Sequence, residues 1–600
     1  MDGPEVRFSM KKLFYILFFV IGIGGLIVTG VRTLLSPNRS HASVLSAEGQ
    51  AWVDETLAGL TLEKKIAQIV TVDVVGGYIT DDDPRLIRWL ALAKEHGLGM
   101  FVFYGGTPRD VAHLLNELQK AAAIPLLISA DFEGGPGQQV TGASEFPANM
   151  AFAAARSEDL MYRAASAAAV EGRAMGIHLT YTPVCDISWD PDNPAESVRS
   201  FGGDLNLLGR MVRAYVNGYH DHGMLTSAKH FPGRGDVKNM PDNPGWAWIN
   251  KPSKDVEAQE FRAFKLGIDA GVDFVMTEHI AVPSVTGGSE LPASVEKKLV
   301  TGWLKGKLGF KGVVTSDDLW YDNVIGRFGP EEVVVKAFEA GHDVILKPKD
   351  PVKAIAALAA AVRSGRIPES RVDEAARKVL SLKARLGLHK SRFVDEARVA
   401  EFVGTAAHQA IVQEVADRSL TMLKNDGALP LAAAAGAAPK IVNINVQKSD
   451  GDPMPATLSA KLAATFPGTK SFTLRPDMDP AYDEAVWKAV GESDLVILSL
   501  FVARNRMGDA APFRDGDLAF LKKVIAAKPK AVVAMSYGNP QLIRKIPDVA
   551  AFLVGYGERG WFGNQAVYFD SFIKALKGEI KPSGRLPVRV SERYPIGAGL

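Results

Sequence analysis

Gly312-Val313-Val314-Thr315-Ser316-Asp317-Asp318 is a short apolar, β-branched run that ends in two carboxylates. Its length and composition predict a buried strand, which puts the acids at the strand's C-terminal end. The same phrase recurs on both sides. Runs at 100–103, 125–129, 179–183, 226–230, 274–279 and 344–347 are strand-length, and segments with helical spacing such as 157–175 and 254–270 lie between them. Strands alternating with helices over 51–390 predict a parallel sheet with helical crossovers, and the size and count suit a TIM-like (β/α)8 barrel. An open doubly wound sheet is the structural alternative. Polar residues follow the runs: Asp131 and Glu133, Asp186, Lys229 and His230, Glu278 and His279, Asp317 and Asp318. In both architectures the strand C-terminal ends hold the site, so this placement favours an enzyme over a scaffold.

A basic helix at 369–386 closes this region, and Gly387-Leu388 ends it. After a linker at 391–410 the alternation resumes, with strands at 440–446, 495–501, 531–536 and 551–556, which predicts a second α/β sandwich domain over 411–600. The Ala-rich stretch 432–438 reads as a surface loop.

The N-terminus differs in kind. Residues 13–31, LFYILFFVIGIGGLIVTGV, contain no charge and as a helix would reach roughly 28 Å, close to the thickness of a bilayer core. Arg7, Lys11 and Lys12 precede the stretch while Arg32 and Arg39 follow it, which predicts residues 1–12 in the cytoplasm and the remainder outside, tethered by 32–50. The nearest small-residue cleavage site, Ser40-His41-Ala42, lies well past the apolar end, so an uncleaved transmembrane anchor is favoured over a cleaved signal peptide. Lys+Arg 69 against Asp+Glu 68 gives a formal net charge of +1, with no basic surplus for a nucleic-acid partner. The single Cys185 excludes an internal disulfide and a cysteine-based metal site, and reads as a core residue.

Ala228-Lys229-His230-Phe231-Pro232-Gly233-Arg234-Gly235-Asp236 closely resembles the K-H-F-P-G-x-G signature of family 3 glycoside hydrolases, in particular their β-N-acetylglucosaminidase branch. Asp131-Phe132-Glu133-Gly134-Gly135 is similar to the family's D-x-E-G-G loop, and Thr182-Pro183-Val184-Cys185-Asp186 with Arg199-Ser200-Phe201-Gly202 to its A-P-V-x-D and R-S-F-G pair. Val314–Leu319 looks like the strand that bears its nucleophile, and LTMLKNDGALPL at 420–431 with PSGRLP at 582–587 resembles the second domain of its two-domain members.

The resemblance implies a retaining hydrolase with Asp317 as the nucleophile. A carboxylate there would trap the oxocarbenium-like state while an acid protonates the leaving oxygen. The other role open to Asp317 or Asp318 is capping the next helix, which suits Asp318. Asp131, Arg199, Lys229 and His230 match the residues that hold the nonreducing-end sugar in the family, which implies an exo-acting pocket; Glu133 is read as structural, and a structural ion pair is the other reading of Lys229 and His230. His220 and His222 read as a solvated helix end rather than metal ligands; no metal and no organic cofactor is expected.

The family's acid/base is an Asp–His dyad after the signature, and here that histidine is absent. Asp242 is the carboxylate best placed on this segment, with Glu278 and the second-domain residues Asp509, Asp515 and Glu558 as alternatives. The E-G-G-R-V arginine is also missing, replaced in Glu133-Gly134-Gly135-Pro136-Gly137-Gln138, and Trp246 and Trp248 are candidates for stacking on a second ring. The expected function is an exo-β-N-acetylhexosaminidase acting on peptidoglycan-derived or related glycans. The alternatives are a β-glucosidase or β-xylosidase with the same mechanism, and a membrane-tethered glycan-binding protein that lacks the acid.

Overall fold

In the computed structural model, which describes residues 45–600 apart from 78, 191–192, 194–196, 236, 238–246, 432–438, 448–451, 475–479, 503–512 and 558–563, the run Val313–Ser316 is the last of seven parallel strands. These are β1 (Thr71–Val75), β2 (Met100–Tyr104), β3 (Leu127–Ala130), β4 (Leu179–Thr180), β5 (Leu225–Phe231), β6 (Phe274–Thr277) and β7 (Val313–Ser316), and they pair in chain order. A doubly wound sheet reverses its strand order partway across; this one does not, so it is wound in one direction and curls. Both of its edges meet the same segment. Val344 bridges Thr315 of β7 and Ile345 bridges Val70 beside β1, with Ile345 N–H donating to Ile69 O at 2.9 Å and Thr71 N–H to Ile345 O at 3.0 Å. The expected anchor at 13–31 and most of the tether lie outside the described residues, and among the described residues no helix is long and apolar enough to cross a membrane.

The crossover helices bury one stripe each. Pro108–Ala121 turns Val111, Leu114, Leu115 and Leu118 inward, the three-to-four spacing of an amphipathic helix. At the N-terminal end of the strands two short phrases of the same form, Gly271-Val272-Asp273 and Gly341-His342-Asp343, each end a helix with a glycine at positive φ (94° and 120°) and begin the next run with a buried aspartate. Each aspartate reaches sideways to a neighbouring strand. Asp273 accepts from Thr226 N–H at 3.0 Å, from His220 Nε2 at 2.8 Å and from Arg385. Asp343 accepts from Val314 N–H at 2.9 Å, Arg371 at 2.7 Å, Lys378 at 3.0 Å and Lys305 at 3.1 Å. His220 is therefore a buried strand clamp and not the solvated helix end expected of it, while His222 caps the helix Leu205–Asp221.

The second sheet holds β8 (Thr421–Asn425), β9 (Ile441–Gln447), β10 (Lys470–Leu474), β11 (Leu495–Phe501), β12 (Val532–Ser536) and β13 (Ala551–Val554) in the order β8-β13-β12-β11-β9-β10. Only the β8–β13 pairing is antiparallel. All seven residues of β9 and of β11 are buried, as expected of central strands covered on both faces. Residues Leu45–Leu600 form one compact unit. The two sheets' surroundings are stitched by backbone bonds: Ala148 N–H to Tyr556 O (3.0 Å), Gly203 N–H to Pro587 O (2.9 Å) and Arg585 N–H to Ala154 O (3.0 Å). The segment expected as a linker is bound down as well, Val394 exchanging two hydrogen bonds with the Asn116 amide.

Asp343 is the sharpest stability test of this arrangement. Burial penalises its charge, but the three cations outweigh that and hold its carboxyl below the ordinary value. Burial, reinforced by Lys378 and Arg371, pushes Lys305 down to about 8 in spite of Asp343; the second anion of the cluster, Glu374, lies 3.7 Å from Arg371 and 3.5 Å from Lys378 but is exposed. Asp343→Ala leaves Lys305 without its buried partner and Arg371 and Lys378 with only the exposed Glu374, and is expected to cost about 3–5 kcal/mol in urea unfolding. Because the folded-state pKa is depressed, this contribution is present above the unfolded value of about 3.9 and is lost as pH falls below it through the folded value; the variant should accordingly show a shallower acid limb of stability against pH.

Candidate active site

Lys229 and His230 are adjacent in sequence, and in a regular strand they would face opposite ways. The strand is irregular here. Ser227 and Ala228 pair with Phe274 and Val275, but the next pair is Phe231 with Thr277, so three steps on β5 oppose two on β6. The Lys229–His230 peptide is cis, and both side chains line a cavity of ≈ 600 Å³ at the C-terminal ends of the strands. The loop beyond it is equally constrained, since a Cβ on Gly235 would lie 1.8 Å from Ile187 O.

The cavity floor is a network of buried charges. Lys229 Nζ lies 2.7 Å from Asp131 Oδ1 and 2.9 Å from Glu133 Oε1. Arg199 grips Glu133 with two parallel bonds, Nε to Oε2 at 2.8 Å and Nη2 to Oε1 at 2.7 Å. Burial alone would raise the Glu133 carboxyl, but Arg199 and Lys229 overcome it and hold the group far below the usual carboxylate range. Burial works likewise against the Lys229 ammonium, and Asp131 and Glu133 reverse it and raise its pKa. The Asp131 side chain is the more open of the two acids, 24% exposed against 4% for Glu133, so Asp131 is the one able to meet a ligand.

Asp186 organises the second half of the site. Its carboxylate accepts from His230 Nδ1 at 2.6 Å, from the His230 N–H and from Arg234 N–H at 2.8 Å. With the Nδ1 proton given to Asp186, His230 Nε2 is left as an acceptor, and Arg199 Nη2 stands 3.3 Å from it. Sequence reading had placed Asp186 at a strand end without a role; its function is to orient His230.

Asp317 directly follows β7, and its N–H donates to Thr277 O at 2.8 Å. Arg234 Nη2 contacts Glu278 Oε2 and lies 3.7 Å from Asp317 Oδ2, so one guanidinium faces both carboxylates. Burial, together with the Glu278 charge, raises the Asp317 pKa above the ordinary carboxylate value, while Arg234 and His279 oppose the rise. Glu278 is fully buried, with one oxygen on Arg234 (Nε at 2.7 Å) and the other accepting from His279 N–H at 2.7 Å. That geometry makes it the counter-ion of Arg234 and removes it as a proton donor to a ligand. His230, Glu278 and Asp317 bring ligand atoms within 4.8 Å of one another, a spacing that a metal ion could use; the Arg234 guanidinium already serves both carboxylates as their cation.

Asp318 differs from expectation. The following helix, Asp322–Phe328, has Tyr321 at its N-cap and no side-chain cap, and Asp318 instead accepts from Lys347 Nζ at 2.8 Å and Trp320 Nε1 at 3.1 Å. Burial, with Asp317 adding to it and Lys347 opposing, pushes its pKa up to about 6. The cavity wall also holds Asp73, Tyr104 and Lys347, none of which sequence reading had singled out. Asp73 interrupts a β-branched run in the middle of β1, a signal present in the sequence. Asp242, Trp246, Asp509 and Glu558 lie outside the described residues; Asp515 begins the helix Asp515–Ala527. Trp248 is 44% exposed in a short strand pair away from the cavity wall, and Cys185 is buried as expected.

Known proteins share this sequence and architecture. The family model described as "Glycosyl hydrolase family 3 N terminal domain" matches residues 61–382, a span containing β1–β7 and Asp131, Arg199, Lys229, His230 and Asp317. A "Beta-N-acetylglucosaminidase/beta-glucosidase" of Cellulomonas fimi is 33% identical over 397 residues, 64% of this chain and 69% of that protein. A "Beta-hexosaminidase" of Xanthomonas oryzae pv. oryzae is 33% identical over 265 residues, 43% of this chain and 78% of that protein. The solved structure of a family 3 β-N-acetylglucosaminidase from a Paenibacillus species superposes with a TM-score of 0.74 at 28% identity, covering 89% of this chain and 99% of its own. With more than half of the chain matched by the family model and the motif residues gathered around one cavity, the chain belongs to glycosyl hydrolase family 3.

Proposed function

We propose that the chain is a retaining, exo-acting β-glycosidase that releases terminal N-acetylglucosamine from peptidoglycan-derived or related glycans, and that β1–β7 with residues 344–345 act as the eight staves of a (β/α)8 barrel. The observation that supports this most is the placement of Asp317 in the same cavity as Asp131, Arg199, Lys229 and His230. In this reading Asp131 accepts from a hydroxyl of the terminal sugar, while Lys229 and Arg199 donate to neighbouring oxygens and His230 Nε2 completes the set. An Asp317 oxygen attacks C1 as the C1–O bond breaks, and the departing oxygen takes a proton from an acid. Water then adds to C1 and displaces Asp317, with the conjugate base of that acid accepting the water's proton. Asp242 is the residue we assign to this acid/base role.

The name of the Cellulomonas fimi relative covers glucosides as well as N-acetylglucosaminides. Together with the arginine missing from Glu133-Gly134-Gly135-Pro136, this keeps glucose as a second reading of the sugar. For the cellular setting we propose that residues 13–31 anchor the chain in a membrane with the catalytic part outside the cytoplasm. If so, the full-length protein stays with membranes through an alkaline wash and a chain beginning near residue 40 does not; full-length chain in the soluble fraction would contradict it.

Two kinetic experiments test the chemistry. Asp317→Ala should lower turnover of an aryl β-N-acetylglucosaminide by about a thousandfold or more while circular dichroism stays that of the parent, and NMR of the parent's first product should show the β-anomer before mutarotation. An initial α-anomer rules out a glycosyl-enzyme on Asp317. Asp242→Ala should lower activity on a β-linked disaccharide about a hundredfold, with glycosylation by a nitrophenyl glycoside largely spared, because a nitrophenolate leaves with little protonation. Equal losses on both substrates assign Asp242 a structural role.

A further inference from the structure

The loop that carries Asp131 and Glu133 folds back on itself before the next helix begins. Its outward pass, 131–139, is covered by a return pass, 144–148, through Gly137 N–H to Ser144 O at 2.8 Å and Phe146 N–H to Gly134 O at 2.7 Å. The two passes touch: Gly135 has φ 83°, and a Cβ on it would lie 2.7 Å from Phe146 Cδ2. Gly134 directly follows Glu133, so a shift of the return pass is handed on to the carboxylate that stands between Arg199 and Lys229.

The barrel does not hold this return pass alone. Ser144 is fully buried, and its N–H and Oγ both donate to Glu171 on the helix Glu158–Ala174, at 2.9 Å to Oε2 and 2.6 Å to Oε1. Glu171 is fully buried too, and the adjacent Gly172 backs the loop directly, since a Cβ there would lie 3.2 Å from Phe132 Cε2. The other group on the Glu171 carboxylate is His408 Nδ1, 2.7 Å from Oε1; among the described residues no other cation lies within ion-pair distance of Glu171. His408 sits in the first turn of the helix Ala406–Ser419, which leads into β8, and its neighbour Gln409 reaches Ser144 Oγ at 3.3 Å. That helix is bound into the layer of the second sheet, where its Asp417 pairs with Lys574 at 2.7 Å.

A buried carboxylate is stable only when protein donors replace its lost water. At Glu171 those donors come from the loop on one side and from beyond the barrel on the other, so one carboxylate joins the two. A second bond between the same two helices makes no contact with the loop: Arg163 grips Glu414 through Nη1 and Nη2 at 2.9 and 2.8 Å.

We infer that His408 is a positioning residue for the sugar-binding part of the cavity: through Glu171 and Ser144 it fixes the loop on which Asp131 and Glu133 stand, so that affinity for the terminal sugar depends on a side chain from outside the barrel that touches no ligand. This rests on the glycosidase reading above for the placement of the terminal sugar, and adds to it a task for the second part of the chain.

Free N-acetylglucosamine and free glucose, used as inhibitors of the full-length enzyme, read this part of the cavity with no leaving group present. His408→Leu should raise the inhibition constant of the preferred sugar about fivefold to tenfold. It should lower kcat/KM by the same factor for a nitrophenyl glycoside and for a β-linked disaccharide, with kcat changed less than about twofold, the pattern of lost binding that is common to ground and transition states. His408→Asn, whose amide N–H₂ can stand where Nδ1 stood, should recover most of the affinity. Arg163→Met cuts the other bond between the helices; it should lower the melting temperature and leave the inhibition constant within about twofold of the parent. An inhibition constant within twofold of the parent in folded His408→Leu protein, or an equal rise in Arg163→Met, overturns the inference. If His408→Leu does not fold, Ser144→Ala cuts the same chain of bonds at its other end and is judged by the same limits. Calorimetry of the free sugars reads the same constant without turnover: sugar binding that weakens in His408→Leu, in a parent that turns over neither substrate, supports the brace and refutes the glycosidase reading, whereas a parent with neither binding nor turnover overturns both.

Discussion

Glu133 stands between two cations that could not otherwise share a dry pocket. Arg199 and Lys229 are both almost fully buried, and each buried charge costs several kcal/mol of lost hydration unless an opposite charge replaces the water. The Glu133 carboxylate does this for both, bidentately for Arg199 and through one oxygen for Lys229. The two donors that line the cavity are thus set by the fold itself, and Asp131 stays the more open of its acids. Glu133 positions Arg199 and Lys229, the residues proposed to hold the sugar, and is itself too enclosed to reach it.

The same rule governs the other half of the cavity, with a different outcome. Arg234 pairs with Glu278 directly and with Asp317 at the longer distance of 3.7 Å, so Glu278 takes most of the guanidinium and Asp317 keeps only part of its compensation. A nucleophile gripped as tightly as Glu133 would be held ionised and also held back. Asp317 is more loosely held, and its raised pKa shows that its charge is only partly compensated. Asp186, by fixing His230 and the Arg234 backbone together, ties the half of the cavity around Lys229 and His230 to the half around Asp317.

These networks sit at one end of the strands, and the aspartate clamps at Asp273 and Asp343 sit at the other. At the lower end buried carboxylates are fully matched and serve cohesion. At the upper end the matching is graded, from Glu133, which meets two cations within 3 Å, to Asp317, which meets Arg234 at 3.7 Å.

Features that depend on a few consecutive residues were legible in the sequence. The run at 313–316 was read with its observed limits because apolar, β-branched residues are a local signal, and Asp317 at its end followed from chain direction alone. Thr71–Val75 and Lys470–Leu474 were missed. Asp73 and Lys470 break the apolar pattern there, and the strands exist because a neighbouring strand supplies their hydrogen bonds. The resemblance named Asp131, Arg199, Lys229 and His230, and the fold gathers them. Three things were decided only by tertiary structure: that Lys229 and His230 line the same cavity, that Asp318 meets Lys347 instead of capping a helix, and that Glu278 belongs to Arg234. The physical reason is range. Strand propensity and alternation are written in neighbours along the chain, whereas the state of a buried charge is set by whichever opposite charge the fold brings within about 4 Å, from any distance in sequence.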